Sequence, residues 1–192
     1  MPEKYKVTPS VTGNYENKIG FQLGGVLNAQ INKYFVIRPE LVFNNIGGKY
    51  RQGNQTLIFN TNYISLPINF IGQIPLNDNF KLQGFIGSYA ALGVGGKIKY
   101  DLNGGKGNDK INMKKDPDTS YNDVYQNPWD FGVNFGLGFQ AKSLVFSASY
   151  SIGLSNTAPH HSNAQKESDR GKNYTTSNKY FSVGVAYLFG GK

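Results

Sequence analysis

Residues 181–192 read FSVGVAYLFGGK. Phe181, Val183, Val185, Tyr187 and Phe189 take every second position, with Ser182, Gly184 and Ala186 between the first four. A period of two belongs to a β-strand, whose successive side chains point to opposite faces. A sheet in water buries such an apolar face and gives the other to Lys, Glu or Thr, because that side meets solvent. Here the second face carries only small residues from Ser182 to Ala186. Whether this strand belongs in water or in lipid depends on whether the rest of the chain repeats it.

Working outward, the same alternation recurs in segments of about ten residues, the length a tilted strand needs to cross a bilayer. Seven are clear: Ile19 to Gln30, Tyr34 to Asn45, Thr56 to Ile71, Phe80 to Gly96, Trp129 to Gln140, Leu144 to Ser155 and Lys179 to Phe189. A shorter eighth, Lys4 to Val11, has Tyr5, Val7 and Val11 in phase but contains Pro9. A strand accepts proline only where no ladder donor is required. The connections alternate too. Short ones lie at Ile31 to Lys33, Gly72 to Asn79 and Ala141 to Ser143, and long polar ones at Gly47 to Gln55, Lys97 to Pro128 and Asn156 to Asn178. This describes an all-β chain of one domain over residues 1–192, an eight-stranded antiparallel up-and-down barrel with short turns at one end and long loops at the other.

The two faces decide the medium. One carries Phe21, Leu23, Leu27, Phe35, Ile37, Leu41 and Phe43, then Ile64, Leu66, Ile68 and Phe70, then the odd positions from Phe131 to Phe139 and the even ones from Leu144 to Leu154, with no charge. The other carries Gln22, Gly24, Asn28, Arg38, Glu40, Ser65, Asn69, Gln83, Asp130, Asn134, Gly136, Gln140, Ser147 and Ser149. A soluble lipocalin-like carrier would need about half of that second face to be charged. The apolar face is therefore assigned to lipid and the polar face to a narrow lumen, which eight strands close around their own side chains.

Composition agrees. A length of 192 residues suits one barrel, 24 glycines suit tight packing, and the absence of cysteine excludes a disulfide framework and a thiolate metal site. No run reaches the roughly 18 apolar residues of a membrane helix, which leaves strands as the means of crossing. The opening MPEKYKV has no apolar stretch of the signal-peptide kind, so the expectation for an exported chain is a signal peptide already removed.

Several stretches resemble the PorT-like outer-membrane β-barrel family of Bacteroidota. They are IGFQLGG at 19–25, IRPELVFNNIGGKY at 37–50, YISLPINF at 63–70, GFIGSYAALGVGGK at 84–97, DFGVNFGLGFQ at 130–140 and SASYSIGLSN at 147–156, which span the chain from about residue 19 to its end. The resemblance implies an integral outer-membrane protein of a Gram-negative bacterium, with short periplasmic turns and long extracellular loops. Its members range from secretion-system accessories to uncharacterised barrels. Two departures stand out: Ser65 occupies a position where the family often has glutamate, and Gly190, Gly191 and Lys192 follow the aromatic residue on which such barrels usually end. The resemblance makes Phe181, Val183, Val185, Tyr187 and Phe189 the β-signal that the barrel-assembly machinery reads during insertion.

Candidate sites follow from these assignments. Arg38, Glu40, Asp130, Gln83 and Asn134 form the expected polar network of the lumen, where charges need partners. His160, His161 and Ser162, with Glu167 and Asp169, contain the residue types of an acyl-hydrolase triad, the basis of an alternative reading as a lipid-modifying enzyme. A polar loop offers such a triad no rigid support, so solvated loop residues are the simpler reading. DPDTSYND at 116–123 spaces carboxylates as a calcium loop does but lacks the glycine and terminal glutamate of an EF-hand. GGKGNDK at 104–110 has no strand-to-helix context and no following Ser or Thr for a phosphate loop. No metal and no cofactor is expected.

The net charge of +8 arises from lysines such as Lys49, Lys97, Lys99, Lys106, Lys110, Lys114 and Lys115, at or beyond the long-loop ends of strands. Their expected anionic partner is outer-membrane lipopolysaccharide rather than nucleic acid, since the aromatic residues belong to strands and form no stacking platform. The function expected is that of a non-enzymatic barrel, a scaffold or accessory subunit of an envelope complex.

Overall fold

The computed structural model describes residues 14–53, 55–102, 105–114, 124–157 and 176–189. Within them the chain forms β1 (Asn14–Asn17), β2 (Phe21–Val26), β3 (Ala29–Gln30), β4 (Phe35–Gln52), β5 (Gln55–Pro75), β6 (Phe80–Leu102), β7 (Gly105–Met113), β8 (Val124–Gln126), β9 (Trp129–Ala141), β10 (Leu144–Gly153) and β11 (Lys179–Tyr187), with no helix. They make one curled sheet in the order β1-β4-β5-β6-β9-β10-β11. β2 and β3 continue the β1 edge along β4. These pairings are antiparallel, and only the short β7–β8 pair is parallel. Among the described residues no pairing joins β11 to β1, β2 or β3, and the expected strand at Lys4 to Val11 lies outside them.

Register explains why a strict two-residue period suits this sheet. One row runs Ile37–Phe70–Ile86–Phe135–Tyr150–Phe181 across six strands. The next row, shifted by one residue, reads Arg38–Asn69–Gly87–Asn134–Ser151–Tyr180. The first row faces outward, with Phe70 56%, Ile86 63% and Phe181 67% exposed, whereas Arg38, Asn69, Asn134 and Ser151 are buried. Polarity is inverted relative to a protein in water, and a one-residue slip would put the amides into the outer medium. Aromatic residues gather near the two ends of the apolar band. Trp129 stacks on Phe131 near one end, with ring centroids 5.9 Å apart, and Phe80 stacks on Phe139 near the other at 5.5 Å. Such girdles mark the two interfaces of a membrane barrel.

The short turns are built on asparagine. Asn32 Oδ1 accepts the amides of Tyr34 and Phe35 at 2.8 and 3.0 Å, and Asn77 Oδ1 accepts those of Asn79 and Phe80 at 2.9 and 3.0 Å. Each side chain thus replaces the partners that the reversing backbone lacks. Lys142 closes the 141–143 turn at φ 53°.

At the other end the structure corrects the sequence-based boundaries. The stretch Gly47 to Gln55 is not a long loop: β4 runs to Gln52 and pairs with Gln55 across a tight turn in which Gly53 takes φ 56°. Gly47 is a strand residue, and a Cβ there would collide with the Phe59 carbonyl. Such a close backbone approach imitates loop composition. Lys97 to Pro128 likewise begins as strand, since β6 continues to Leu102 and pairs with β7. β6 has 23 residues. At the rise of an extended strand that is about 75 Å, far more than a bilayer requires. The segment from Ile19 to Gln30 is split into β2 and β3, and the last strand stops at Tyr187 rather than Phe189.

Candidate functional site

The inward face holds a hydrogen-bonded interior with two centres. In the first, Arg38 Nε donates to Asn28 Oδ1 at 2.6 Å and Arg38 Nη2 to Gln83 Oε1 at 3.2 Å. Gln83 Nε2 in turn donates to Gln73 Oε1 and Gln140 Oε1 at 3.3 and 3.1 Å. Glu40 accepts from Asn69 Nδ2 at 2.8 Å, and Asn69 Oδ1 accepts from Asn134 Nδ2. In the second, Asp130 takes three donors: Tyr89 Oη at 3.2 Å, Ser155 Oγ at 2.8 Å and Asn178 Nδ2 at 2.8 Å. Gln126 Nε2 extends this centre by donating to Tyr63 Oη at 2.9 Å.

Arg38, Gln83, Asp130 and Asn134 are buried and Glu40 is half-buried, so the structure brings all five expected lumen residues to the inward face. It does not pair their charges. Among the described residues no ion pair joins Arg38, Glu40 or Asp130 to an opposite charge, and each is held by amides or hydroxyls instead. Neutral dipoles satisfy a buried ion without the desolvation cost of a second one. The amides that do this were only half legible. Asn28 and Asn69 belong to the polar face by phase but carry no sign of which charge they meet, and sequence reading overlooked Gln73 and Asn178 altogether.

Glycines make room for the rings. A Cβ on Gly132 would lie 2.6 Å from the Tyr89 ring, and one on Gly136 would lie 2.6 Å from that of Phe85. Gly132 and Gly136 of DFGVNFGLGFQ are therefore the seats of aromatic side chains from β6, a pairing familiar from strand glycines elsewhere, while Gly138 faces Gln83. Between the centres a cavity of about 100 Å³ is lined by Glu40, Asn44, Asn134, Ser149, Ser182 and Gly184, among others. Asn44 Oδ1 and Asn134 Oδ1 are buried without a protein partner, and both residues line this cavity. Its size and polarity suit a few water molecules. A soluble carrier requires the opposite, a hollow apolar interior.

On β11, Phe181, Val183, Val185 and Tyr187 point outward and are exposed. Phe189, 89% exposed, lies beyond the ladder and packs edge-on against Tyr187 with centroids 4.7 Å apart. Among the described residues β11 ends at Tyr187, two residues before Phe189, and the first strand expected at Lys4 to Val11 lies outside them. Of the other candidates, His160, His161, Ser162, Glu167, Asp169 and the 116–123 stretch lie outside the described residues. Residues 105–110 are strand rather than a phosphate loop. Among the described residues no cluster of His, Asp or Glu has a metal-binding arrangement.

Comparison with curated proteins and with solved structures found no match. The family model for the outer membrane protein beta-barrel domain matches residues 3–158, most of the chain, and so covers β1 to β10. The inverted polarity and the polar inward face agree with a barrel that crosses a membrane. The chain belongs to the outer membrane protein beta-barrel domain family and is an integral outer-membrane β-barrel protein.

Proposed function

We propose that this chain is a non-enzymatic barrel of eight strands, counting the one read from sequence at Lys4 to Val11, serving as a scaffold or accessory subunit of an envelope complex. The observation that carries this reading is the interior itself. A lumen occupied by interlocked amides, with room for only a few waters, offers no passage to a solute. What remains to interact is the outside: the lipid-facing wall, the overhanging hairpins of β4 to β7 and the loops. The PorT-like resemblance supports a bacteroidotal origin and membership of a secretion, uptake or assembly complex. It also supports the orientation, with the 31–34, 76–79 and 141–143 turns in the periplasm and the long connections outside. Outer-membrane lipid and lipopolysaccharide surround the barrel. The barrel-assembly machinery reads the outward residues of β11, with Phe189 as their terminal aromatic.

Extraction of the chain from native outer membranes in mild detergent tests the reading. A stoichiometric partner should co-purify, and the barrel reconstituted in a planar bilayer should show no stable conductance of porin size. Such a conductance, or a chain that always purifies alone, overturns it. For the β-signal, Phe189→Ser should lower the folded fraction in cells far more than refolding in detergent, because one exposed ring contributes little packing.

A further inference from the structure

Above the apolar band the outward face changes chemistry row by row. The last apolar row is Leu23–Phe43–Ile64–Leu92–Trp129. The next contains Asn45 and Asn62, joined by a 2.6 Å hydrogen bond, with Lys18 Nζ donating to Asn45 Oδ1 at 3.2 Å. Then come Gly47–Asn60–Lys97–Lys110 and Glu16–Lys49–Ile58–Lys99–Asn108. Each row adds about 7 Å along a tilted strand, so Lys97 and Lys110 stand about 14 Å along the strand from Trp129. That is the headgroup layer, and a lysine can snorkel back toward the acyl boundary.

A bulge puts these lysines on the outside. Tyr63 pairs with Gly93 and Asn62 with Gly95, so Val94 is an extra residue on β6, and Gly95 takes φ 137°. Below the bulge the odd residues Tyr89 and Ala91 are buried inward; above it the odd residues Lys97 and Lys99 are exposed. Without the extra residue both lysines would enter the interior.

The arrangement is electrostatically incomplete. Lys97 and Lys110 are direct cross-strand partners, and like charges so placed repel. Of the acids nearby, Glu16 is engaged with Lys49 at 2.8 Å and Arg51 at 3.2 Å, and Asp101 with Lys106 at 3.3 Å, while Asp109, opposite Ile98, lies out of phase with Lys97, Lys99 and Lys110 on the other side of the ladder. Among the described residues Lys18, Lys97, Lys99 and Lys110 have no carboxylate partner. Burial, and then the charge of Lys99, hold the Lys18 ammonium below the usual lysine range. A cleft of about 630 Å³ opens among Asn45, Asn60, Asn62, Lys97, Lys99 and Lys110.

We propose that Lys18, Lys97, Lys99 and Lys110, with the Asn60 amide, form a site on the outer wall for the phosphate groups of an outer-leaflet glycolipid. Continuity with the apolar band selects lipid over a soluble anion, since an occupant whose acyl chains lie against Ile64 and Leu92 already has its headgroup among the lysines. Phosphate oxygens bridging Lys97 and Lys110 turn their repulsion into charge-assisted hydrogen bonds. The inference rests on the outer-membrane reading and adds a specific lipid contact to it.

The test uses the full chain folded in neutral detergent, with three probes: phosphorylated lipid A, the same lipid A with its phosphates removed, and inorganic phosphate. Wild type should bind the first best. Lys97→Gln/Lys99→Gln/Lys110→Gln should lose roughly tenfold to hundredfold in affinity, and the corresponding triple arginine variant should keep it. Heat-modifiable migration verifies that each variant is folded; should the triple glutamine variant fail, Lys110→Gln, on the peripheral β7, should still weaken binding severalfold. Equal binding of dephosphorylated lipid A overturns the proposal. So does inorganic phosphate binding as tightly as the lipid, or a folded glutamine variant with unchanged affinity. Absence of the chain from outer-membrane fractions would instead overturn the reading beneath it, and the two failures are separate measurements.

Discussion

The two halves of β6 are one continuous strand in two different media. From Phe80 to Leu92 its outward positions include Leu82, Ile86, Ala90 and Leu92, with no charge among them, and its inward ones include Gln83, Tyr89 and Ala91. Beyond the bulge at Val94 and Gly95 the outward positions are Lys97, Lys99 and Asp101, and Ile98 and Tyr100 take the other side. The bulge resets the phase of the pleat while the pairing with β5 continues, and the polarity of the outward face reverses. Backbone pairing is therefore indifferent to the medium, and the side chains record where lipid ends.

A charge in the lower half separates the two media most strongly. Phe135→Arg, in the middle of the outward apolar row, should cost about 2–4 kcal/mol of folding free energy in lipid vesicles, measured by denaturant titration. Asn60→Arg, outward but above the band, should cost at most about 1 kcal/mol, from repulsion by Lys97 across the ladder. Equal losses would mean that both halves meet the same medium.

Next in size is the inward side. Asp130→Ala leaves Tyr89, Ser155 and Asn178 without their shared acceptor. It should destabilise by about 1–3 kcal/mol, since buried donors lose a partner they cannot replace. A loss no larger than that of an exposed loop carboxylate would show that water fills the interior freely.

The bulge divides the halves, and Gly95→Val forces a β-branched side chain onto a backbone at φ 137°. The strain should cost roughly 1–3 kcal/mol. The effect should be local. Amide exchange should quicken in the 96–113 hairpin while the strands below it keep their protection, and uniform loosening would deny that the halves are separate units.

Smaller still, Lys97→Gln in neutral detergent relieves the repulsion from Lys110 across the ladder. Stability should be unchanged or rise by up to about 1 kcal/mol. A clear loss would mean that Lys97 has an acid partner. The least effect belongs to Glu16, whose carboxyl is held below the ordinary glutamate value by its hydrogen bond to Lys49, with Arg51 adding to this. Its contribution is present above the ordinary glutamate value and is lost as pH falls through the lowered one. Protection of the β1 amides, taken relative to the intrinsic exchange rate at each pH, should therefore fall on acidification while that of the apolar band is unaffected.

Much of this molecule is legible in its residues. Two-residue alternation in FSVGVAYLF and its counterparts determined strands, and a second face without a water-compatible share of charge determined which side meets lipid. Arg38, Gln83, Asp130 and Asn134 follow from phase alone, because a strand has only two faces. The tertiary structure decided what phase cannot carry. Which dipole meets which ion depends on register across strands distant in sequence, so Asp130 meets Asn178 and Tyr89 rather than Arg38. Strand ends depend on it as well: Gly47 is compatible with both loop and ladder until a neighbouring backbone passes beside it. The direction of Lys97 depends on one extra residue, Val94, which inverts every side chain after it and which only the pairing with β5 reveals.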